Sequence, residues 1–423
     1  MKIAHFVQRY PPAVGGSEAY FARLSRYLAK NGNHVSVFTT YAKDLESFWS
    51  RQGACVPSGI RVEDGVEIRR YKLARWPGRR WPLKALSLIP HRIWQCLTMP
   101  CNPITWGMWS DAGKSTQSFD VVHATAFPYA WPIACGLRLA RRQGVPFLLT
   151  PFLHLGDPEN ANDRTRASYT SPPLLSLLRA ADRVFVQTRL EYQEIARHGI
   201  PEEKLVLLGM GVDFKECTGG DRDGVRAGWG VNKDEVVVGH LANQSREKGT
   251  VDLLQAAERL WRKGRRFRLV LAGPEMSNFR SFWHNFSAGG TVVRLGEIDR
   301  QQKRDFFAGI DLFALPSRSD SFGLVLLEAW ANGVPNVAYR AGGVAEVIRH
   351  EQDGLLARCG NIDELAAHLL HLIEDGPRRR CLGDCGRDRV DREFRWEDKL
   401  SRVWDVYEEI VERYQDSKRV GAI

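Results

Sequence analysis

Two carboxylates eight residues apart, Asp320 and Glu328, bracket the run Ser321-Phe322-Gly323-Leu324-Val325, and no other pattern in the chain carries as much potential chemistry. Residues 312–315 before them read as a strand and residues 323–332 as a helix. The first-turn amides freed by Ser321 and Gly323 then point along the positive end of that helix, which suits a diphosphate. At about 1.5 Å per residue the two acids stand up to roughly 12 Å apart, comparable with the distance from the hexose to the ribose of a sugar nucleotide. They can accept hydrogen bonds from hydroxyls at both ends of one ligand while the amides between them hold its phosphates. On spacing alone the same residues also fit a capped core helix, with Asp320 as the cap and Glu328 in solvent.

Other residues offer complementary chemistry. Gly15 and Gly16 precede a helix and let backbone approach a ligand closely; the loop lacks the full Gly-x-Gly-x-x-Gly of a dinucleotide site, and alone it also reads as a tight turn. Lys248, near the end of a strand-to-helix loop, can neutralise phosphate charge, although an isolated lysine is commonly just solvated. His154 and His123 each fall at or just past the end of a strand, where a histidine is also often a structural hydrogen-bonder. Asp221-Arg222-Asp223 has the form of a metal-binding pair but sits in a polar linker and reads as a solvated charge run. The eight cysteines are scattered without metal-ligand spacing and read as reduced thiols.

The elements that must position these groups alternate between strand-like and helix-like from the first residue, which is the pattern of an α/β fold with parallel sheets. Strands are expected at residues 3–7, 34–39, 66–71, 121–124, 147–150, 184–187 and 205–208, then at 236–241, 267–272, 312–315 and 337–339. A chain of 423 residues with 43% apolar content calls for two domains. The break falls at Gly209-Met210-Gly211, giving a doubly wound domain over residues 1–208, a linker over 209–224, a second doubly wound domain over 225–395 and a helical segment over 396–423. Two such domains leave a cleft at the carboxyl ends of both sheets as the expected ligand site. Met1 to Val7 reads as a buried strand rather than a signal segment, and no apolar run is long enough to span a membrane, so a cytoplasmic protein is expected.

Residues 316–329 resemble the acidic-pair motif of the retaining glycosyltransferases of family 4, which have the GT-B fold. Residues 1–39 with Gly15-Gly16-Ser17-Glu18, residues 239–254 and Ala341-Gly342-Gly343 are similar to that family as well, so the resemblance covers nearly the whole chain. It implies transfer of a hexosyl unit from a nucleotide sugar with retention of configuration, no required metal, and a C-terminal helix crossing back to the N-terminal domain. It assigns sugar hydroxyls to Asp320, ribose to Glu328, leaving phosphate to Lys248 and the amides of residues 321–325, the neighbourhood of the transferred carbon to His154, and the base to the loop around Ile298. Gly15 and Gly16 join the donor site. Two departures stand out: the first acid is Asp rather than Glu, and His240 stands where the family has arginine, so that either Arg246 takes over that phosphate contact or the contact is shared differently. A nucleotide-sugar 2-epimerase and a non-catalytic sugar-nucleotide or lipid-surface binding module are the alternatives.

The chain carries a formal net charge of +10, which favours polyanions. Between Glu67 and Asp111 there is no acidic residue, while Arg69, Arg70, Lys72, Arg75, Arg79, Arg80, Lys84 and Arg92 are interleaved with Trp76, Trp81, Trp94, Trp106 and Trp109. This composition suits peripheral docking on an anionic inner leaflet, where a lipid-linked acceptor is presented; a solvated insertion whose tryptophans pack inward fits it too. No nucleic-acid reader motif accompanies the charge.

Overall fold

In the computed structural model, which describes residues 1–420, the chain divides into two compact units. The first comprises Met1–Leu153, Ala167–Leu208 and the chain from Leu400 onward; the second comprises His154–Arg166 and Gly209–Lys399. The short excursion at residues 154–166 therefore belongs with the second unit although the strand before it belongs to the first.

The first unit holds an eight-stranded sheet built from β1 (Lys2–Val7), β2 (His34–Thr40), β3 (Gly59–Glu63), β4 (Val66–Tyr71), β5 (Val121–Ala124), β6 (Phe147–Leu149), β7 (Arg183–Val186) and β8 (Leu205–Leu207). Their order is β3-β4-β2-β1-β5-β6-β7-β8, parallel throughout except for the antiparallel edge pair β3 and β4. Strands covered on both faces read as near-continuous apolar runs, which is why β1 and β5 are legible in the sequence. β3 is exposed along its whole length and gives no such signal.

The second unit holds six parallel strands, β9 (Val237–Leu241), β10 (Arg268–Ala272), β11 (Thr291–Gly296), β12 (Leu312–Leu315), β13 (Asn336–Arg340) and β14 (Gly354–Arg358), in the order β11-β10-β9-β12-β13-β14. Its core is formed by Leu253, Leu254, Ala257 and Leu260 of the helix Thr250–Arg262 and Leu365, Leu369 and Leu372 of the helix Ile362–Glu374, packed on the sheet. Strand order reverses between β1 and β5 in one sheet and between β9 and β12 in the other. Such reversals are where open α/β sheets bind ligands, because the loops leaving the two central strands diverge there. The loops after β1, β9 and β12 carry Gly15-Gly16, Lys248 and Asp320 respectively.

The last helix, Trp396–Val420, begins in the second unit and packs from Leu400 onward in the first. Tyr407 is fully buried there, its hydroxyl 2.6 Å from His123 Nδ1 and 3.2 Å from His5 Nε2; His123 Nε2 lies 2.7 Å from Thr150 Oγ1. His123 is thus a structural histidine with both nitrogens engaged, and burial holds its pKa well below the ordinary value. The Asp221-Arg222-Asp223 run is not an open linker either. Asp221 caps the helix Arg222–Gly228 by accepting from Gly224 N, and Arg222 pairs with Asp311 at 2.6 Å. Among the described residues no helix is long and apolar enough to cross a membrane.

Candidate functional site

The helix Leu324–Ala331 starts one residue later than the sequence suggests, because Gly323 adopts φ +85° as its N-cap and turns the chain out of β12 into the helix. Residues 320–323 are accordingly loop, and only Leu324 to Glu328 rise helically. Along this segment Phe322, Gly323, Leu326 and Leu327 are buried, while Ser321, Leu324, Val325 and Glu328 are half-exposed. Leu324, Val325 and Glu328 of the helix and Ser321 of the turn before it are thus the accessible residues of the strip between the two acids.

At the start of this strip Asp320 Oδ2 lies 2.7 Å from Lys248 Nζ. Burial alone raises the Asp320 pKa, but Lys248, then His154, and a bond from Phe322 N outweigh it and hold the carboxyl below its usual value. His154 belongs to the same group. Burial pushes its pKa down to about 4, opposed by Asp320 and reinforced by Lys248, and its ring bonds to the Ser319 backbone. At neutral pH the cluster is therefore a carboxylate and an ammonium beside a neutral imidazole.

Backbone contacts lock this cluster in place. Lys248 is presented by Gly249, whose φ of +73° and close approach to Pro316 O (1.8 Å from an ideal Cβ) exclude a side chain. Arg318 N donates to Glu247 O at 2.9 Å, tying the two loops together. Gly343 N donates to Asp320 O at 2.8 Å, and a Cβ on Gly343 would stand 1.9 Å from Ser321 O. Gly342 N in turn donates to Gly156 O, and Gly156 N to Ser319 Oγ, which anchors the segment carrying His154.

At the far end of the strip Glu328 Oε1 is held by Lys303 Nζ of the helix Arg300–Gly309, whereas Glu328 Oε2 is buried without a hydrogen-bond partner. A buried carboxylate oxygen left unpaired is costly, so an incoming hydroxyl donor is favoured there. Asp299 caps the same helix in a reciprocal capping box with Gln302, and half-exposed Ile298 stands immediately before the cap.

His240 explains its own departure from arginine. It is fully buried, with Nδ1 2.8 Å from Ala314 O and Nε2 3.0 Å from Thr250 Oγ1, so Nδ1 carries the proton and Nε2 accepts. Burial lowers its pKa to about 4. A neutral, doubly bonded imidazole supplies no charge to a phosphate; it joins β9 to β12 and to the helix that follows Lys248. Arg246 is exposed and lines a separate groove of about 520 Å³ with Gln255, Arg262, Phe282 and Phe286.

In the first unit Gly15 caps the helix Gly16–Lys30. A Cβ there would meet Glu18 Oε2 at 2.2 Å, and Glu18 forms a buried ion pair with Arg9 at 2.7 Å while Ser17 Oγ also donates to it. The glycine loop is therefore braced by a charged pair at the helix start.

Residues 15–211 match the model of the glycosyl transferase 4-like domain and residues 221–389 that of glycosyl transferases group 1. The chain belongs to the group 1 glycosyltransferases. It is 26% identical over 415 residues to D-inositol 3-phosphate glycosyltransferase 1 of Catenulispora acidiphila, covering 94% of this chain and 91% of that one. Sucrose-phosphate synthase of Thermosynechococcus elongatus has a similar structure, with TM-score 0.74 and 21% identity over 97% of this chain and 99% of that one. Anabaena HepE, solved with UDP and glucose, has TM-score 0.71 and 18% identity over 97% and 100%. The glycosyltransferase thus has two Rossmann-like units of the GT-B kind.

Sequence reasoning singled out Asp320, Lys248 and His154 separately, and the structure brings them together. It did not find two residues that this glycosyltransferase sets beside the predicted ones. Lys303 looks like any solvated helix lysine, and only its partner 25 residues away gives it meaning. Arg9 follows a strand, and its bond to Glu18 nine residues on is invisible without the turn between them.

Proposed function

We propose that this glycosyltransferase moves a hexosyl unit from a nucleotide-sugar donor to a hydroxyl of a glycan, glycolipid or small acceptor with retention of configuration. The product belongs to a cell-surface polysaccharide or glycoconjugate, and the reaction runs on the cytoplasmic side. The donor lies along the open strip of residues 320–328. Asp320 accepts from sugar hydroxyls, Lys248 and the amides of residues 321–325 other than that of Phe322, which is bonded to Asp320, take the diphosphate, Glu328 Oε2 accepts from the ribose, and the base packs by Ile298. The bond from the anomeric carbon to the phosphate oxygen breaks as the acceptor oxygen attaches on the same face, and the acceptor proton passes to the departing phosphate. Lys248 stabilises the charge that grows there, and neutral His154 offers hydrogen bonding beside the transferred carbon without adding charge.

One observation carries this reading: a single open strip has a paired Asp-Lys cluster at one end and a buried, unpartnered carboxylate oxygen at the other. Release of nucleoside diphosphate from UDP-, GDP- and ADP-sugars in the presence of an acceptor panel tests it. One donor class is expected to turn over, with the product's anomeric configuration by NMR matching the donor's. An inverted product, or turnover of free donor to its 2-epimer, would overturn it.

A further inference from the structure

The basic and aromatic segment of the first unit separates into two populations. Most of its arginines are internally engaged. Arg70 donates to Pro11 O at 2.7 Å, Arg69 pairs with Glu67 and lies over Phe38, and buried Arg79 donates to Asn102 O at 2.6 Å. Arg75 lies over Tyr41, and Trp109 stacks beneath Arg138. These residues build the unit.

The other population is concentrated in two short helices, Arg80–Leu86 and Arg92–Leu97, and the turn between them. Their inner side is fixed to the unit: Leu83 and Cys96 are buried, and Cys96 Sγ contacts Pro173 O. Trp94 Nε1 donates to Leu86 O and Gln95 Nε2 to Ser87 O, so the pair is braced across its turn. Its outer side is apolar. Trp81 is 77% exposed and Leu88 78%, with Leu86, Ile89, Ile93 and Trp94 exposed around them. Among the described residues, eight of the thirteen exposed large hydrophobic side chains fall within residues 76–106, so this is a concentration rather than the usual scatter. Lys72, Arg80, Lys84 and Arg92 are exposed in the same segment, and no acidic residue interrupts it.

We propose that this helical hairpin is a membrane-docking element that inserts Trp81, Leu86, Leu88, Ile89, Ile93 and Trp94 among the headgroups of an anionic bilayer, with the cations at its flank on lipid phosphates. Tryptophan and aliphatic side chains beside lysine and arginine are the composition of an interfacial anchor. Protein interfaces, by contrast, are depleted of lysine and do not need one sign of charge around them. The structure narrows the contact from the whole segment of residues 69–109 to this hairpin, because Arg69, Arg70, Arg75 and Arg79 before it are engaged within the unit and Arg80 at its start stacks on Trp49, while Lys84 and Arg92 are exposed beside the apolar side chains. The proposal does not rest on donor chemistry.

Flotation of the full chain with phosphatidylcholine vesicles, and with vesicles of rising phosphatidylglycerol content, tests it. The wild-type protein is expected to float increasingly with phosphatidylglycerol. Trp81→Ser with Leu88→Ser, and separately Lys84→Glu with Arg92→Glu, are each expected to lower bound protein at least about tenfold. Both double variants keep the wild-type melting temperature and the wild-type release of nucleoside diphosphate with a soluble acceptor, since these side chains are exposed and lie outside the donor strip. Binding that ignores phosphatidylglycerol, or variants that float like the wild type, would overturn the proposal. So would a concentration-dependent dimer in sedimentation that the serine variants dissolve, which gives the face to a second copy of the chain.

Discussion

Two carboxylate-lysine pairs stand at opposite ends of one open strip, and they are built differently. Asp320 and Lys248 sit in a cluster with His154, on loops pinned by Gly249, Gly342 and Gly343 and backed by the buried His240. Glu328 and Lys303 sit on two regular helices, with one carboxylate oxygen occupied and the other buried and unpaired. The first end is a charged cluster on loops fixed by backbone hydrogen bonds, of the kind that stabilises a developing charge. The second is a preformed acceptor waiting for a hydroxyl, of the kind that holds a ligand. In the function proposed here, the difference separates chemistry from binding along one ligand.

If that separation is right, the two ends fail differently. Asp320→Ala and Lys248→Ala are expected to lower kcat by about 10²–10³ with smaller changes in donor KM, because they remove charge complementarity that grows in the transition state. Steady-state kinetics at saturating donor checks this, and a pure KM effect would merge the two ends.

The Asp320 end also carries the acid sensitivity. His240 has a folded pKa of about 4 against an ordinary 6.5, so on acidification the unfolded chain takes up its proton first. Its contribution is complete above pH about 6.5 and is lost as the pH falls to about 4, an effect of roughly 3 kcal/mol. Thermal melts of the wild type and His240→Asn across that window check it: the variant's stability should fall less steeply, since Asn has no proton to gain. Parallel curves would remove His240 from the account.

Glu328→Ala is expected to raise donor KM about 10–100-fold while kcat changes less, the cost of losing a charged acceptor. Lys303→Met is the mildest, a rise in KM of roughly three- to fivefold, since it frees a partly exposed carboxylate that still accepts the ribose. A kcat loss for Lys303→Met as large as that for Lys248→Ala would contradict the division.

How much of this was legible in the sequence depends on how local the cause is. The helix after Asp320 and the buried strands follow from spacing and apolar runs, so the α/β class could be read directly, whereas spacing alone left Asp320 and Glu328 open between a ligand-binding pair and a capped core helix, and the family resemblance made the choice. What required the fold came from distant partners. His240 takes its role from Ala314, 74 residues on, and Lys303 from Glu328. Gly342 and Gly343 could be matched to a family, but the reason for them, backbone contact with Gly156 and Asp320, could not. β3 escaped notice because an edge strand exposed on both faces has no burial pattern, and β11 and β14 because edge strands of this sheet carry short or mixed runs. The basic stretch was visible as composition, but only packing divides its paired arginines from its exposed hairpin.

The central claim, that one donor lies along the strip with its ribose on Glu328, is tested most directly by equilibrium binding of UDP, GDP and ADP and of their 2′,3′-dideoxy forms. The measurement compares wild type with Glu328→Ala. The nucleotide that binds the wild type is expected to lose about 10-fold or more when its ribose hydroxyls are removed, and to lose little further in Glu328→Ala, because hydroxyls and carboxylate form one interaction. Independent, additive losses would contradict the account, since they would place the ribose away from Glu328.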